Sequence, residues 1–505
     1  VPGWFQATLA LYDVKGNELA YDNRYRFNPD PVLHYSIVRD GEYVIEIKDS
    51  IYRGREDFVY RLEIGELPFV TSVFPLGGTA GRETAVELTG WNLPGTNSIR
   101  HVSYDQPGVY QLSARNGERA VNPVPFAVDA LPDCLEVEPD NPPEQAQRIT
   151  LPVIVNGRID PPGDVDVFRF EGKAGQEIVA EVFARRLNSP MDSALRLTDA
   201  SGAQLAFNDD FDDKGAGLET HHADSYLRAT LPADGTYFIH LGDTQHQGGP
   251  ECAYRLRISE PRPDFELRLV PSGINPRGTV NVPVTIYALR RDGFTNEIKL
   301  ELKDAPEGCV LSGARIPPNI DQLRFTLTLP FRPAPEPFAL KLQGRAMIGG
   351  REVVRPAIPA DDVMQAFAYR HLVAAQQLEV APHNRPLGGV RTKFLTPLPV
   401  ILPANGTARI RLGSLPGKFA DNYQLELDEP PDGVTLENVV TNQTGVELVL
   451  RCDAVKAKPE LEGNLIVNVL QFPNAGAPAK APRAANQKRF PVGVLPAIPF
   501  RISSE

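Results

Sequence analysis

The chain has 505 residues, a net charge of −12 and a pI near 5.3, with 48 prolines, 41 glycines and four cysteines. This length exceeds what one hydrophobic core supports and predicts several domains. Short aromatic and β-branched runs between the prolines and glycines predict an all-β protein of tandem sandwiches. The acidic balance argues against nucleic acid and anionic membrane as partners. No apolar run approaches the ~20 residues of a membrane-spanning helix, so we expect no membrane insertion.

A repeat occupies much of the first half of the chain. The segment LALYDVKGNELAYDN from Leu9 matches LRLTDASGAQLAFND from Leu195 at a constant offset of 186, and the match resumes at an offset of 194 as far as Tyr60 and Tyr254. A shared order of strands and turns indicates two copies of one unit. The second copy has three upstream strands that the first lacks: Val153 to Asn156, Val165 to Phe170 and Glu177 to Phe183. We therefore expect residues 1–66 to be a partial domain, cut from something longer.

Residues 67–132 read as a strand that leads into a proline, a glycine turn, and a strand that ends in Gly and Asn. This order resembles the TIG/IPT family of small immunoglobulin-like modules. The residues that carry the resemblance are Val73, Pro75, Gly77, Gly78, Gly81, Val86, Leu88, Gly90 and Asn92. The resemblance implies a short immunoglobulin-like module.

Residues 133–260, the complete copy, resemble the bacterial pre-peptidase C-terminal (PPC) domain. The resemblance rests on the segments EVEPDN from Glu136, GDVDVFRF from Gly163, NDD from Asn208, DGTY from Asp234 and YRL from Tyr254. It implies a secreted β-sandwich that accompanies the catalytic domain of an extracellular peptidase or belongs to a large surface protein, and that is usually not itself catalytic. Cys134 and Cys252 lie at the two ends of this domain and are candidates for a disulfide if the compartment is oxidising.

One acidic group lies at the start of the complete copy. Glu136, Glu138 and Asp140 alternate along the sequence, so on an extended segment their carboxylates project to one side, about 6.5 to 7 Å apart. Asp164 and Asp166 alternate in the same way. Oxygen ligands from two segments suit Ca²⁺, which takes six to eight of them. The collagen-binding domains of secreted bacterial collagenases, which are similar sandwiches, bind calcium through Glu-x-Glu-x-Asn-Asp. The matching positions here are Glu136, Glu138, Asp140 and Asn141, with the last two residue types in reversed order.

A second acidic group follows the hairpin of the complete copy. Its members are Asn208, Asp209, Asp210, Asp212 and Asp213, with Asp224 returning beside them. Like charges this close repel unless a cation or solvent screens them, so a second Ca²⁺ is one expectation. A solvated loop of Asx turns is the alternative. The first copy carries Arg24 and Arg26 at this point, and no metal is expected there.

No set of residues predicts hydrolytic catalysis. His221 and His222 lie near Asp224 and Ser225, but no nucleophile elbow or HExxH motif accompanies them. A zinc ligand role for the two histidines stays open as an alternative. We therefore assign no catalytic residue.

The second half predicts two related immunoglobulin-like modules, residues 261–358 and 378–505. The segment from Leu300 to Gly308 aligns with the segment from Leu425 to Gly433 at an offset of 125. Between the modules, residues 359–377 predict a helical connector over 361–375. Its apolar residues recur at i, i+3 and i+4: Val363, Met364, Phe367, Ala368 and His371.

Three functional hypotheses follow from these patterns. The first is a non-catalytic, calcium-stabilised protein of the cell surface, periplasm or extracellular space, with a structural or adhesive role and with other extracellular proteins or itself as partner. The second is that these are substrate-binding or secretion domains of a secreted peptidase or other hydrolase whose catalytic domain lies upstream. The third is polysaccharide binding by an aromatic strip, formed by Tyr21, Tyr25, Phe27 and Tyr35.

Overall fold

The computed structural model confirms the all-β fold. It describes residues 5–26, 28–93, 98–112, 115–116, 119–120, 122–213, 215, 223–276, 279–364, 370–387, 392–413, 423–442, 445–471 and 489–503. These residues form 41 strands and a single-turn 3₁₀ helix at Arg185–Leu187. That turn is far too short to cross a bilayer, and the described residues contain no other helix that could. The chain divides into two compact units, residues 1–262 with 364–371, and residues 263–363 with 372–505.

The complete copy is a sandwich of two five-stranded sheets. Its strands are β12 (Asp133–Leu135), β13 (Gln147–Arg148), β14 (Val153–Arg158), β15 (Val165–Gly172), β16 (Glu177–Phe183), β17 (Ser193–Asp199), β18 (Gln204–Asn208), β19 (Tyr226–Thr230), β20 (Gly235–Asp243) and β21 (Ala253–Ser259). One sheet has the order β12-β14-β21-β16-β19 and the other β13-β15-β20-β17-β18. Apolar residues from both sheets, among them Phe168, Ile239 and Leu256, are fully buried between them. This core holds the two sheets together.

The expected disulfide between Cys134 and Cys252 is wrong, because both thiols are free in the structure. Cys134 lies beside Val155 of β14, whereas the backbone oxygen of Cys252 accepts from Ile159, beyond the far end of that strand. Their strands also flank β14 on opposite sides. Two cysteines with Cα atoms more than about 7 Å apart cannot be bridged without moving the backbone.

The first copy reproduces half of this sandwich. Its strands are β1 (Ala7–Asp13), β2 (Glu18–Asp22) and β3 (Tyr43–Asp49), in the order β2-β1-β3. Leu9 lies opposite Asp22 and Ile47, just as Leu195 lies opposite Asn208 and Leu241. Even the register shift recurs, between residues 11 and 12 and between residues 197 and 198. The repeat predicted from the sequence is therefore confirmed at the level of strand register.

A buried aspartate stabilises the turn that follows the same strand in each copy, Asp243 at the end of β20 and Asp49 at the end of β3. Asp243 accepts hydrogen bonds from the backbone N–H groups of Asp192 (2.8 Å), Gln245 (3.0 Å) and Gln247 (3.0 Å). Asp49 occupies the equivalent position and accepts from Gln6, Ile51 and Arg53. Without this carboxylate, the N–H groups of the tight turn would have no hydrogen-bond acceptor.

The described residues between 68 and 131 form a small module of two three-stranded sheets and one two-stranded sheet, and this module contacts the complete copy. Its strands are β4 (Phe69–Phe74), β5 (Gly77–Thr79), β6 (Thr84–Trp91), β7 (Ser98–Val102), β8 (Gly108–Leu112), β9 (Arg115–Asn116), β10 (Arg119–Ala120) and β11 (Val124–Asp129). The guanidinium of Arg158 lies 3.8 Å from the ring centroid of Phe74 and pairs with Glu87 at 3.1 Å. The buried Arg255 donates to the backbone oxygen of Gly78 at 3.4 Å. These arginines join the module to β14 and β21 of the complete copy.

The second unit contains two further β bodies. The strands of the first are β22 (Asp264–Val270), β23 (Gly273–Ile274), β24 (Asn281–Arg291), β25 (Ile298–Lys303), β26 (Val310–Ser312), β27 (Arg315–Ile316), β28 (Gln322–Thr328), β29 (Phe338–Ile348), β30 (Arg351–Met364), β31 (Arg370–Ala374) and β32 (Leu378–Val380). Those of the second are β33 (Lys393–Phe394), β34 (Val400–Pro403), β35 (Thr407–Gly413), β36 (Tyr423–Asp428), β37 (Val434–Asn442), β38 (Gly445–Cys452), β39 (Glu462–Gln471), β40 (Phe490–Val494) and β41 (Ile498–Ser503). Leu300 pairs with Gly344 and Leu425 with Val469, so the offset of 125 holds for both partners.

The expected helix over 361–375 is wrong. Asp361 to Met364 belong to β30, whose earlier residues pair in parallel with β22, and His371 belongs to β31, which pairs with β30. Phe367 and Ala368 lie outside the described residues. The apolar spacing in this stretch suits a helix or a strand, and pairing with neighbouring strands decides between them.

We expect Asp243→Ala to lower the free energy of unfolding of the complete copy by about 2–4 kcal/mol, because three backbone N–H groups lose their acceptor. Chemical denaturation of the full chain would measure the loss. Asp209→Ala, at an exposed position of the same sandwich, is the control and should change it by less than about 0.5 kcal/mol. Equal effects of the two substitutions would contradict this role.

Candidate functional site: a buried carboxylate cluster

Four carboxylates converge at one end of the complete copy. Glu136, Glu138 and Asp140 lie on the segment that follows β12, and Asp166 lies on β15. Each offers one oxygen, and these four oxygens all lie within 4.8 Å of one another. Asp140 and Asp166 are fully buried, Glu136 is partly buried and Glu138 is exposed. The structure thus brings together four of the residues that the sequence predicts as one site.

Hydrogen bonds fix the outer oxygens of the cluster. The backbone N–H of Arg158 donates to Glu136 Oε2 at 2.8 Å, and the hydroxyl of Tyr254 donates to Asp166 Oδ2 at 2.5 Å. The backbone N–H of Asp140 donates to Glu138 Oε2 at 3.0 Å. Glu136 and Asp166 are each held by one oxygen, and the other oxygen of each is buried in the cluster.

The inner oxygens lack partners within the protein. Glu136 Oε1, both carboxylate oxygens of Asp140, and Asp166 Oδ1 are buried without a hydrogen-bond partner. The N–H of Val167 faces the Asp140 carboxyl but does not reach hydrogen-bonding geometry. Buried acceptors without donors are rare in folded proteins and costly. Four of them at one point make this cluster a candidate cation site.

Burial and mutual repulsion raise the pKa values of these acids. Burial, and then the neighbouring Glu136 carboxylate, raise the pKa of Asp140 to about 7 and that of Asp166 to about 11. Burial also raises the pKa of Glu136 and of Glu138. Both effects disfavour the charged form. Without a cation the cluster therefore retains protons at neutral pH.

The donor set fits Ca²⁺. Five oxygens can serve a cation: Glu136 Oε1, Asp140 Oδ1 and Oδ2, Asp166 Oδ1 and one carboxylate oxygen of Glu138. Calcium takes six to eight oxygen ligands and accepts irregular geometry, so five carboxylate oxygens and water complete a shell. Nitrogen and sulfur ligands, which zinc prefers, are absent from this group.

Asn141 and Asp164, also predicted as ligands, lie beside the cluster and bond to each other. The side-chain amide of Asn141 donates to Asp164 Oδ1, and the backbone N–H groups of Asp160 and Val165 donate to the same carboxylate. Asp164 is therefore satisfied by protein donors. The pair positions the start of β15, which carries Asp166.

Two residues of the site were missed by sequence reasoning. Tyr254 holds Asp166 from β21, which lies more than 80 residues away along the chain. Gly157 lies where a Cβ atom would collide with the Tyr254 hydroxyl and with Glu136 Oε2. Glycine is therefore required at this position by the space that the two side chains occupy. Only the fold reveals either role.

The second acidic group does not assemble in the same way. Asp224 accepts from the backbone N–H groups of Ala184, Arg185 and Arg186, and Asn208 accepts from the N–H of Tyr226. Asp213 is buried and accepts from the N–H of Gly215. Asp209, Asp210 and Asp212 are exposed. Among the described residues, this loop contributes no group of three acids placed to share an ion.

An arginine provides the positive charge in this second group. The Arg186 guanidinium lies 2.8 Å from Asp224, 3.1 Å from Glu181 and 3.9 Å from Asp213. Burial lowers the pKa of Arg186, but the carboxylates of Glu181 and Asp224 outweigh it, and the pKa is raised. The buried acids of this loop are thus compensated by a side chain, and the geometry gives no support to a second metal.

The remaining candidates of the sequence lie partly outside the described residues. His221 and His222 lie outside the described residues, as does Phe27 of the expected aromatic strip. Tyr25 packs edge-on against Phe69, with ring centroids 5.1 Å apart, and is not displayed on a strand face. The expected strip is therefore not a continuous exposed surface.

Comparison with known proteins assigns the complete copy. Residues 164–242 match the family model of the bacterial pre-peptidase C-terminal domain. Those residues form a PPC domain. Over 81 residues the chain is 47% identical to a protein of Deinococcus radiodurans named "probable subtilase-type serine protease". That alignment covers 16% of this chain and 10% of the relative.

Two solved structures are also similar in part. One is the pre-peptidase C-terminal domain of a Bacillus anthracis collagenase. The match covers all of that domain and 24% of this chain, with 17% sequence identity and a TM-score of 0.19. The other is the M60 catalytic domain of Clostridium perfringens ZmpB together with two CBM51 domains. The match covers 49% of that structure and 88% of this chain, with 9% sequence identity and a TM-score of 0.21. Neither score supports an argument, and the fold assignment rests on the sheets themselves.

The raised pKa values predict how the metal-free PPC domain responds to pH. The pKa of Asp140 rises from 3.8 to about 7 on folding. The protonated acid therefore contributes to stability fully below pH 4, and this contribution is lost as the pH rises through 7. With chelator present, we expect the melting temperature of the domain to fall between pH 5 and pH 8. Calorimetry of the full chain at a series of pH values measures this melting temperature.

The control is the double variant Asp140→Asn with Asp166→Asn, which removes the two most perturbed acids. It should flatten the fall, because amides do not titrate. A fall of the same size in the double variant would show that other groups cause it.

Proposed function

We propose that this chain is a non-catalytic accessory part of a secreted peptidase, and that its PPC domain binds one Ca²⁺ at Glu136, Glu138, Asp140 and Asp166. The observation that carries the accessory role is the PPC domain, and an 81-residue stretch of the chain is also 47% identical to part of a protein named as a protease. This likeness favours the accessory role over the structural or adhesive role that we expected first. An extracellular location follows from the same role.

Calcium has a structural task in this proposal. The four carboxylates come from the segment 136–140 and from β15, so one ion ties the entry of the domain to its core. The buried oxygens that lack donors gain a partner, and the repulsion between the acids is relieved. Binding free energy then becomes folding free energy. The ion acts on stability and not on a substrate.

The accessory role is supported by what the described residues offer. In the most concentrated acidic group of the described residues, two of the four carboxylates are fully buried, which suits a structural ion and not a substrate. We assign the chain to the binding of a protein substrate on behalf of a linked catalytic domain.

Calcium binding can be tested on the full chain by calorimetric titration. We expect one site, an affinity that weakens at least 10-fold in Asp166→Asn, and a similar loss in Gly157→Ala, where the methyl group displaces Glu136 and Tyr254. Asp209→Asn, in the second acidic group, is the matched control and should bind as the parent does. Two ions per chain, or a loss in the control, would contradict the assignment.

The accessory role can be tested by sedimentation with insoluble substrates. We expect the chain with calcium to bind fibrous proteins such as collagen or elastin and to leave chitin and cellulose unbound. Incubation with unfolded casein should release no peptides. Binding to the polysaccharides alone, or peptide release that survives removal of trace proteases, would overturn the proposal.

A further inference from the structure

The two bodies of the second unit, β22–β32 and β33–β41, share hydrogen bonds that are buried. The side-chain amide of Asn281, at the start of β24, donates to the backbone oxygen of Val494 at 2.9 Å. In the reverse direction, the backbone N–H of Ala497 donates to the hydroxyl oxygen of Thr326 in β28 at 2.8 Å. Asn281, Thr326 and Ala497 are at most 2% exposed. Each body therefore supplies the partner for a buried polar group of the other.

Asn464 of β39 joins the two bodies at two points. Its side-chain amide donates to the backbone oxygens of Gly313 and Arg324, each at 2.8 Å. Gly313 lies in the bend after β26 and Arg324 lies in β28, so the two hydrogens of one amide group meet two segments of the first body. A planar group that is held in this way fixes both the distance and the orientation between the bodies.

Gly313 leaves the space that the Asn464 amide occupies. A Cβ atom at residue 313 would collide with that amide, and the φ of +75° lies in the left-handed region that favours glycine. The first body is thus shaped to accept a side chain of the second. This fit is not a property of the repeated fold, because the offset of 125 places Ala339 of β29 at the position of Asn464.

Exposed ion pairs surround this junction. The Arg315 guanidinium lies 2.9 Å from Glu462, and the Arg324 guanidinium lies 3.0 Å from Glu429 and also pairs with Asp428. The side chain of Arg315 is 46% exposed and that of Glu429 is 82% exposed. Pairs as exposed as these contribute little to stability. The buried hydrogen bonds therefore decide how the bodies fit together.

We propose that the second unit is a rigid spacer, in which Asn464 pins the two bodies in one orientation. Domains within one chain normally move relative to each other unless their interface is extensive. Here reorientation would break four hydrogen bonds between the bodies, two from Asn464 and one each from Asn281 and Ala497. The unit thus adds a mechanical role to the chain. This inference is independent of the calcium site and of the accessory role.

Hydrogen exchange of two neighbouring amides in the full chain tests the proposal. The N–H of Ala497 bonds across the junction, whereas the N–H of Leu495 bonds to the backbone oxygen of Val467 within the second body. We expect the protection factors of the two amides to agree within about 10-fold in the parent chain. Asn464→Ala should lower the protection of Ala497 by about 10-fold or more, because two bonds across the junction are lost. It should leave the protection of Leu495 unchanged.

Three results would overturn the proposal. Exchange at Ala497 more than about 10-fold faster than at Leu495 in the parent chain would show that the bodies already move apart. Unchanged protection of Ala497 in Asn464→Ala would show that this side chain does not hold the junction. Equal losses at both amides would show that Asn464 serves the fold of the second body itself.

Gly313→Ala tests the same junction from the first body. The added methyl group collides with the Asn464 amide, so this variant should also lose protection at Ala497. Gly350→Ala is the matched control, because its φ of +77° is close to that of Gly313 while the space around it is open. It introduces similar backbone strain and should keep Ala497 protected.

The double variant, Asn464→Ala with Gly313→Ala, should lose no more protection at Ala497 than Asn464→Ala alone. The amide that the methyl group meets is then absent, so the two changes are not additive. Loss of protection in the Gly350→Ala control, or additive losses in the double variant, would contradict the pin.

Discussion

Each body of this protein depends on one constraint: a sheet with an apolar face is stable only when a second sheet covers that face. In the PPC domain the two five-stranded sheets satisfy it, and the side chains between them are completely buried. The bodies of the second unit have comparable cores, led by Phe265 and Phe325 in one and by Leu448 and Phe500 in the other. Among the described residues, the first copy has one three-stranded sheet, β2-β1-β3, whose strand register is that of the complete domain.

The acidic residues of the PPC domain illustrate two ways of stabilising buried negative charge. Around Asp166 the inner oxygens have no protein donors, and burial raises the pKa of the acids, so that they hold protons at neutral pH. Around Asp224 the backbone and Arg186 supply the donors, and no ion is needed. Similar clusters in a sequence can therefore have different chemistry. The deciding quantity is the number of protein donors within reach, which depends on residues distant in sequence.

Much of the architecture could be predicted from the sequence, because two copies of a repeat pair their strands in the same register. The offsets of 186, 194 and 125 each reappear as strand pairings, and the alternation of Glu136, Glu138 and Asp140 located three of the four converging acids. The helix over 361–375 failed because its apolar spacing fits either structure and strand pairing is not local. The disulfide failed because positions near the ends of a domain say nothing about which side of β14 each cysteine takes. Gly157 and Tyr254 carry no local signal, since each matters only through the side chains that meet it in space.

The loop after the hairpin illustrates how duplication separates roles. In the PPC domain Asp212 is exposed at this point. In the first copy the same position holds Arg26, whose buried guanidinium donates to the backbone oxygens of Thr71 and Asn188 and pairs with Glu251 at 2.9 Å. That single side chain touches both neighbouring bodies of its unit. The two copies of a unit can thus use one loop position for different purposes: an exposed carboxylate in one copy, and in the other an arginine that contacts two neighbouring bodies.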